Sequence, residues 1–352
     1  MVLDELSAPI VLAPMAGGPS TPALAAAVSD AGGLGFVAAG YLTAESLAER
    51  LEQVERITTR PYGVNLFVPA VPSEPQCSDR YAEVLVGEAR RYGVKLGRPR
   101  FDDDGWGAKL DILAARQVPV VSFTFGCPSE DVVTRMHSAG SEVWATVTTP
   151  VEAIQAIRAG ADVLVAQGIE AGGHRASFAD SQAADDYSVL ALLQLLRDIV
   201  DVPVVAAGGI GTGAAVAAVL CAGARAAQLG TAFLGCPEAG TAQVHRDALP
   251  AATPTALTRA FTGRLARGIR NRFMAEYGGD APIAYPEIHH VTSPLRQAGR
   301  DARDPEVVNL WAGQTHPLAQ ARPAGEIVRA LTDEARAATS RLSGMLMPAG
   351  RW

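Results

Sequence analysis

The chain of 352 residues has four cysteines, Cys77, Cys127, Cys221 and Cys236. They are scattered, with no Cys-x-x-Cys pair and no histidine at zinc-finger spacing. Such spacing indicates neither a disulfide framework nor a metal site. A surplus of positive charge is missing too. Thirty Lys and Arg stand against 37 Asp and Glu, a net charge of −7, and the pI is near 5.4. Nucleic acid and anionic membranes, which need clustered basic side chains, are therefore not expected partners. Small anions remain open as ligands, because local backbone N–H groups bind them whatever the overall charge. No apolar run is long enough to span a bilayer, and Met1-Val-Leu-Asp4-Glu5 carries acids where a signal peptide carries bases. The expected compartment is the cytoplasm. Low-complexity tracts and long repeats are also missing.

What is present is a 48% hydrophobic share, enough for a large core, and a steady alternation of two kinds of segment. Short β-branched runs read as strands at Ile10 to Ala13, Leu34 to Ala38, Tyr62 to Phe67, Val118 to Phe123, Glu142 to Thr146, Asp162 to Ala166, Val202 to Ala206 and Ala226 to Leu229. Longer Ala/Leu/Glu/Arg stretches with apolar residues three and four apart read as helices between them. Eight strands joined by helical crossovers make a parallel sheet that closes into an α/β fold of the (β/α)8 TIM-barrel type. The period breaks over Ala70 to Gly107, read as a decorated third crossover, and from about Gly240 to Arg322, read as an inserted, mostly helical cap. The expected organisation is a barrel over residues 1–239, a cap or substrate subdomain over 240–322, and the last barrel helix and tail over 323–352.

In such barrels the functional rim is where strands end and helices begin. The fullest strand end runs from Gln167 through Glu170, Gly172 and Gly173 to His174. Polar groups there lie beside backbone that a ligand can approach closely. The seventh and eighth strands end in Ala207-Gly208-Gly209-Ile210-Gly211-Thr212 and Gln228-Leu229-Gly230-Thr231, where barrels hold a phosphate between two loops and a short helix. Gly209-Ile-Gly211-Thr-Gly213-Ala214 also fits a dinucleotide fingerprint. The next strand leads to Gly230-Thr231 and not to the acid a ribose needs, so the barrel phosphate site is preferred. An aromatic ring system would then lie over Ala13, Pro14 and Met15, its polar edge read by Asn65 and Gln167. The plainer reading has both amides capping loop backbone.

These strand ends carry a resemblance. Ala13-Pro14-Met15, Gly63-Val64-Asn65-Leu66-Phe67, Gln167-Gly168-x-Glu170-Ala171-Gly172-Gly173-His174, Ala206-Ala207-Gly208-Gly209-Ile210 and Gln228-x-Gly230-Thr231 together resemble the nitronate monooxygenase family. The likeness spans the barrel in the same order, and Glu-Ala-Gly-Gly-His is its most specific piece. Arg267-Gly268 and Trp311-Ala-Gly-Gln314 resemble family segments more weakly. The resemblance implies FMN held by Asn65, Gln167, Gly172, Gly209 and Gln228 to Thr231, and oxidation of an alkyl nitronate by O2 to a carbonyl compound and nitrite. His174 would be the catalytic imidazole, taking the α-proton where a neutral nitroalkane is accepted. The expected partners are that substrate and O2, and a homodimer is compatible with them. Two alternatives stand beside this: a flavin-dependent enoyl-acyl carrier protein reductase using NAD(P)H, and a non-catalytic FMN-binding protein.

Other residues carry plainer expectations. His137 reads as solvated on an outer helix, while His245, His289, His290 and His316 fall in the cap, where hydrogen-bonding roles and substrate contacts are equally open. Glu170 hydrogen-bonds loop N–H groups and fixes the turn that aims His174, and Cys127, at a strand end where a nucleophile could stand, reads instead as a small buried thiol because no His or Lys adjoins it. The run Asp102 to Asp104 reads as a solvated loop.

Overall fold

Most barrel helices begin at a Ser or Thr whose hydroxyl accepts from the amide three residues on, as at Thr21, Thr43, Ser129, Thr149, Ser188 and Thr212. These caps satisfy donors that the first helical turn leaves open and set where each strand-to-helix loop stops. The computed structural model describes residues 1–181 and 186–346. The end of the expected tail, 347–352, lies outside them.

In chain order the strands are β1 (Ile10–Leu12), β2 (Gly35–Ala38), β3 (Tyr62–Phe67), β4 (Val120–Thr124), β5 (Glu142–Val147), β6 (Val163–Gln167), β7 (Gly173–His174), β8 (Val204–Ala207), β9 (Ala226–Leu229), β10 (Thr255–Thr258) and β11 (Ala266–Ile269). The helices are α1 (Val2–Glu5), α2 (Pro22–Asp30), α3 (Ala44–Ile57), α4 (Pro75–Val84), α5 (Val86–Arg91), α6 (Trp106–Ala115), α7 (Glu130–Ser138), α8 (Pro150–Arg158), α9 (Val189–Leu196), α10 (Gly213–Cys221), α11 (Gln243–Ala248), α12 (Arg272–Tyr277), α13 (Glu287–Ala302) and α14 (Ala324–Leu346).

The eight expected strands form one parallel sheet in the order β1-β9-β8-β6-β5-β4-β3-β2. Leu12 N to Leu34 O at 2.9 Å and Leu34 N to Ile10 O at 3.0 Å close its two ends into a barrel. Alternate strand residues divide into two cores. Val11, Phe36, Trp144, Val165 and Val205 form one cluster, with Trp144 packed on Phe36 at 5.7 Å, and Leu3 of α1 joins it. Their neighbours along the strands pack against the helices in the larger cluster. The last helix, α14, packs against α10 and α2, closing the ring of helices.

The insert is mostly helical, as expected, and it also holds strands that the sequence did not mark. Residues 255–269 form an antiparallel hairpin, β10 with β11, and β11 pairs with β7 so that Ala266 stands opposite His174 and Arg267 opposite Gly173. These strands are two and four residues long and rich in Thr, Arg and Gly, so no apolar alternation marks them. Pairing alone makes them strands. The decorated third crossover also belongs with the insert: Tyr81, Leu85 and Ala89 pack with Phe261, Phe273, Ile288 and Val291 in a separate core. Tyr81 Oη donates to Ala260 O at 2.9 Å across it.

Candidate active site

The C-terminal ends of the barrel strands open on one cavity of about 480 Å³. Ala13, Pro14, Met15, Asn65, Gln167, Gly172, Gly173, His174, Gly208, Gly209, Gln228, Leu229, Gly230 and Thr231 all line it. Ala207 does not, contrary to its expected place among the binding residues. It is the last residue of β8 and buried in the barrel wall, where its carbonyl accepts from Gly168 N at 2.8 Å.

Glycine shapes one end of the cavity. Gly208 and Gly209 have φ of +114° and +68°, the left-handed region where a side chain is strained. A Cβ on Gly172 would stand 2.4 Å from Gly313 N, and one on Gly313 would stand 3.5 Å from Thr231 Oγ1. Thr231 Oγ1 accepts from Gly313 N at 3.0 Å. Among the described residues the amides of Gly172, Gly209 and Gly230 have no protein acceptor. Free backbone donors in a glycine-lined hollow suit a phosphate. The start of α10 is not part of this cradle. Its amides are taken by Thr212 Oγ1 on Ala215 N at 3.2 Å and Glu334 Oε2 on Gly213 N at 2.9 Å. The short helix beside the cradle is instead the 3-10 turn Thr231–Phe233.

The two amides divide. Asn65 Nδ2 donates to Ser122 Oγ at 2.9 Å and Thr124 Oγ1 at 2.8 Å. Among the described residues its side-chain carbonyl oxygen has no hydrogen-bond partner, and Asn65 lines the cavity. Gln167 is spent on its own loop. Its Nε2 donates to His174 O at 3.1 Å and its Oε1 accepts from Ala176 N at 2.9 Å. Here the plainer reading of Gln167 is the one seen: it staples residues 167–176 and so sets where His174 stands. Glu170 also fixes that turn. Its carboxylate accepts from Val189 N at 3.1 Å, and its carbonyl accepts from Gln314 N at 3.1 Å.

The His174 ring is enclosed by Phe125, Trp311 and Tyr285, with centroids at 5.5, 5.6 and 5.7 Å. Its Nε2 lies 2.9 Å from Thr262 Oγ1. Burial, reinforced by the cations Arg264 and Arg296, pushes its pKa down to about 3. The imidazole is thus neutral at every ordinary working pH, not poised near neutrality. Arg264 lies 4.1 Å over the Phe125 ring, and its Nε donates to Arg175 O at 3.3 Å.

Several wall residues escaped the sequence reading. Thr262 and Arg296 come from the insert, where no strand-end rule applies, as does His289, for which the sequence leaves hydrogen bonding and substrate contact both open. A signal for Arg296 did exist. The apolar positions of α13, Ile288, Val291, Leu295 and Gly299, follow helical spacing, and Arg296 falls on that buried face. Tyr41, with φ of +67°, stacks on His289 at 4.1 Å and accepts at its Oη from Tyr285 Oη at 3.1 Å. Its backbone N–H donates to Asp104 Oδ1 at 2.9 Å. Asp104 is therefore no solvated loop acid. It also pairs at 2.7 Å with Lys109, whose side chain is fully buried. Cys127 is half-buried, and burial raises its pKa, which leaves it a poor nucleophile. His137 is exposed and bound to Asp162, while His316 is buried between Leu249 O and Thr253 O.

Comparison with known proteins gives consistent matches. The family profile described as nitronate monooxygenase matches residues 2–334. The chain is 38% identical over 329 residues to a probable nitronate monooxygenase of Staphylococcus aureus (strain Newman), covering 91% of this chain and 92% of that protein. Nitroalkane oxidase from Streptomyces ansochromogenes superposes with a TM-score of 0.95 at 49% identity, over 97% of this chain and 99% of its own. FabK from Thermotoga maritima superposes at 0.76 with 26% identity, over 97% of both chains.

Proposed function

The chain belongs to the nitronate monooxygenase family, and from that premise we propose that it uses FMN to oxidise alkyl nitronates with O2, yielding carbonyl compounds and nitrite. The observation that carries this reading is a single cavity shared by a phosphate-shaped glycine cradle and an enclosed imidazole. The donor set fits FMN. Gly172, Gly209, Gly230 and Thr231 would hold the phosphate. Gly230 lies close against Ala13 and Met15, where a Cβ would stand 3.3 Å from Ala13 Cβ and 3.4 Å from Met15 Sδ, which leaves a floor for a flat ring. Asn65 Oδ1 would accept from the ring edge. When bound, FMN supplies the redox chemistry between substrate and O2.

The protein's own part is to bind, orient and move one proton. With the Thr262 hydroxyl donating to Arg264 O at 3.2 Å, His174 Nε2 carries a hydrogen and donates to Thr262 Oγ1. Nδ1 is then the lone-pair nitrogen, and it takes the α-proton of a neutral nitroalkane. Arg264 and Arg296 stabilise the anion that forms, but the same positive field weakens His174 as a base. Preformed nitronates, which need no deprotonation, are accordingly the favoured substrates. Phe125, Tyr285 and Trp311 keep bulk water from the ring.

The test is nitrite release from propyl-2-nitronate by the purified yellow protein, with 2-nitropropane in parallel. Absence of nitrite with any short nitronate removes the reading. The likeness to FabK supports a second reading, a reductase drawing on NAD(P)H. Rapid anaerobic bleaching of the flavin by either nucleotide favours that one.

A further inference from the structure

The cavity wall includes Arg296 and Arg300, and among the described residues no Asp or Glu lines it. Arg296 is 6% exposed. Its Nε donates to Thr292 Oγ1 at 3.1 Å, and one terminal nitrogen donates to His289 O at 2.8 Å. The other, Nη1, has no protein partner among the described residues, yet it is not among the orphaned atoms sealed from solvent. It therefore opens on the cavity. Asp104, which accepts from the backbone of Tyr41 in the same wall, already has a cation, pairing with Lys109 at 2.7 Å. Burial and the neighbouring Arg300 lower the Arg296 pKa to about 10, which leaves the group charged at neutral pH.

A buried guanidinium without a counter-charge is costly, and an anionic ligand relieves that cost. Position says which ligand. His174 contacts Tyr285, Tyr285 bonds Tyr41, Tyr41 stacks on His289, and His289 holds Arg296. This chain of contacts puts Arg296 in the wall of the imidazole chamber, on helix α13, apart from the strand-end glycines of the phosphate cradle.

We propose that Arg296 binds the anionic nitro head of the substrate and makes the chamber selective for nitronate anions over neutral nitroalkanes. The proposal rests on the nitronate-oxidising reading given above. Of its polar bonds, those to Thr292 and His289 fix the guanidinium plane, and the remaining Nη1 edge meets the ligand. Arg300, one turn along α13, adds positive potential without sharing those bonds.

The test uses the full-length, flavin-loaded protein and inorganic nitrate, a planar monoanion, titrated by calorimetry. In Arg296→Met the nitrate dissociation constant should rise roughly thirtyfold or more, equivalent to about 2 kcal/mol. The KM for propyl-2-nitronate should rise by a similar factor while that for 2-nitropropane barely changes. Arg296→Lys should recover part of both losses. Should the methionine variant fail to fold, Arg296→Gln, which keeps a donor for His289 O, should show the same rise. Wild-type nitrate affinity in a folded neutral variant overturns the proposal. So does an effect confined to the flavin midpoint potential with KM unchanged, since Arg296 would then serve the ring and not the substrate. If the wild-type protein releases no nitrite from nitronates, the functional reading fails separately, and nitrate titration still reports on the anion site.

Discussion

A neutral imidazole beside two guanidiniums decides how His174 behaves at the scale of single residues. Its folded pKa of about 3 lies below the ordinary 6.5. Between those values the unfolded chain binds the proton that the folded chain refuses, so stability is lost as pH falls from about 6.5 towards 3 and is indifferent to this group above that window. His245, lowered to about 4 by burial, adds to the same trend. Thermal melts from pH 7 to pH 4 should therefore show a falling Tm, with a shallower fall in His174→Gln. The same variant should keep its flavin and lose about 10²- to 10⁴-fold in kcat with 2-nitropropane, the range for removing a general base. With propyl-2-nitronate it should lose less, because no proton has to be taken. Equal losses on both substrates would deny His174 its role as base.

Elements set where these residues stand. The loop from β6 to β7 is held at one end by Gln167 and Glu170, and at the other by the pairing of β7 with β11. It returns so tightly that Gly172 lies against the backbone of Ala312 and Gly313. Gly172→Ala puts a methyl 2.4 Å from both Ala312 C and Gly313 N, backbone atoms that cannot rotate away. The loop must shift, at a stability cost of about 1–3 kcal/mol typical of overpacking. Flavin content measured from the visible spectrum should drop with it. A Gly172→Ala protein with full flavin and unchanged Tm would show that the cradle is built elsewhere.

At the scale of the molecule, the insert and the third crossover share a core that the barrel does not enter. Removing 240–322 would strip Phe261, Phe273, Ile288 and Val291 from Tyr81 and Leu85, exposing apolar surface on a barrel that has also lost the partner strand of β7 and the Thr262 hydroxyl. Such a protein should express mostly as aggregate, and any soluble fraction should be colourless after gel filtration. A soluble, yellow barrel would mean that the cap serves substrate choice alone. Among the described residues no helix is long and apolar enough to cross a membrane.

The barrel was legible in the sequence because its signals are local. Each β-branched run, each Ser or Thr cap and each Gly-rich strand end depends on residues within a few positions of one another, and their order along the chain is their order around the ring. For the same reason the strand-end glycines and His174 stand out in the sequence itself. What surrounds that imidazole is not local. Thr262 lies 88 residues from His174 along the chain, and Tyr285 lies 244 from Tyr41. The β7 to β11 pairing and the unpaired edge of Arg296 exist only when the insert folds back over the rim, and the Asp104 and Lys109 pair meets Tyr41 only when the third crossover packs there. Hydrophobic period and turn chemistry reach across one element, whereas the field and enclosure that set the properties of His174 come from charges and rings that only packing brings together.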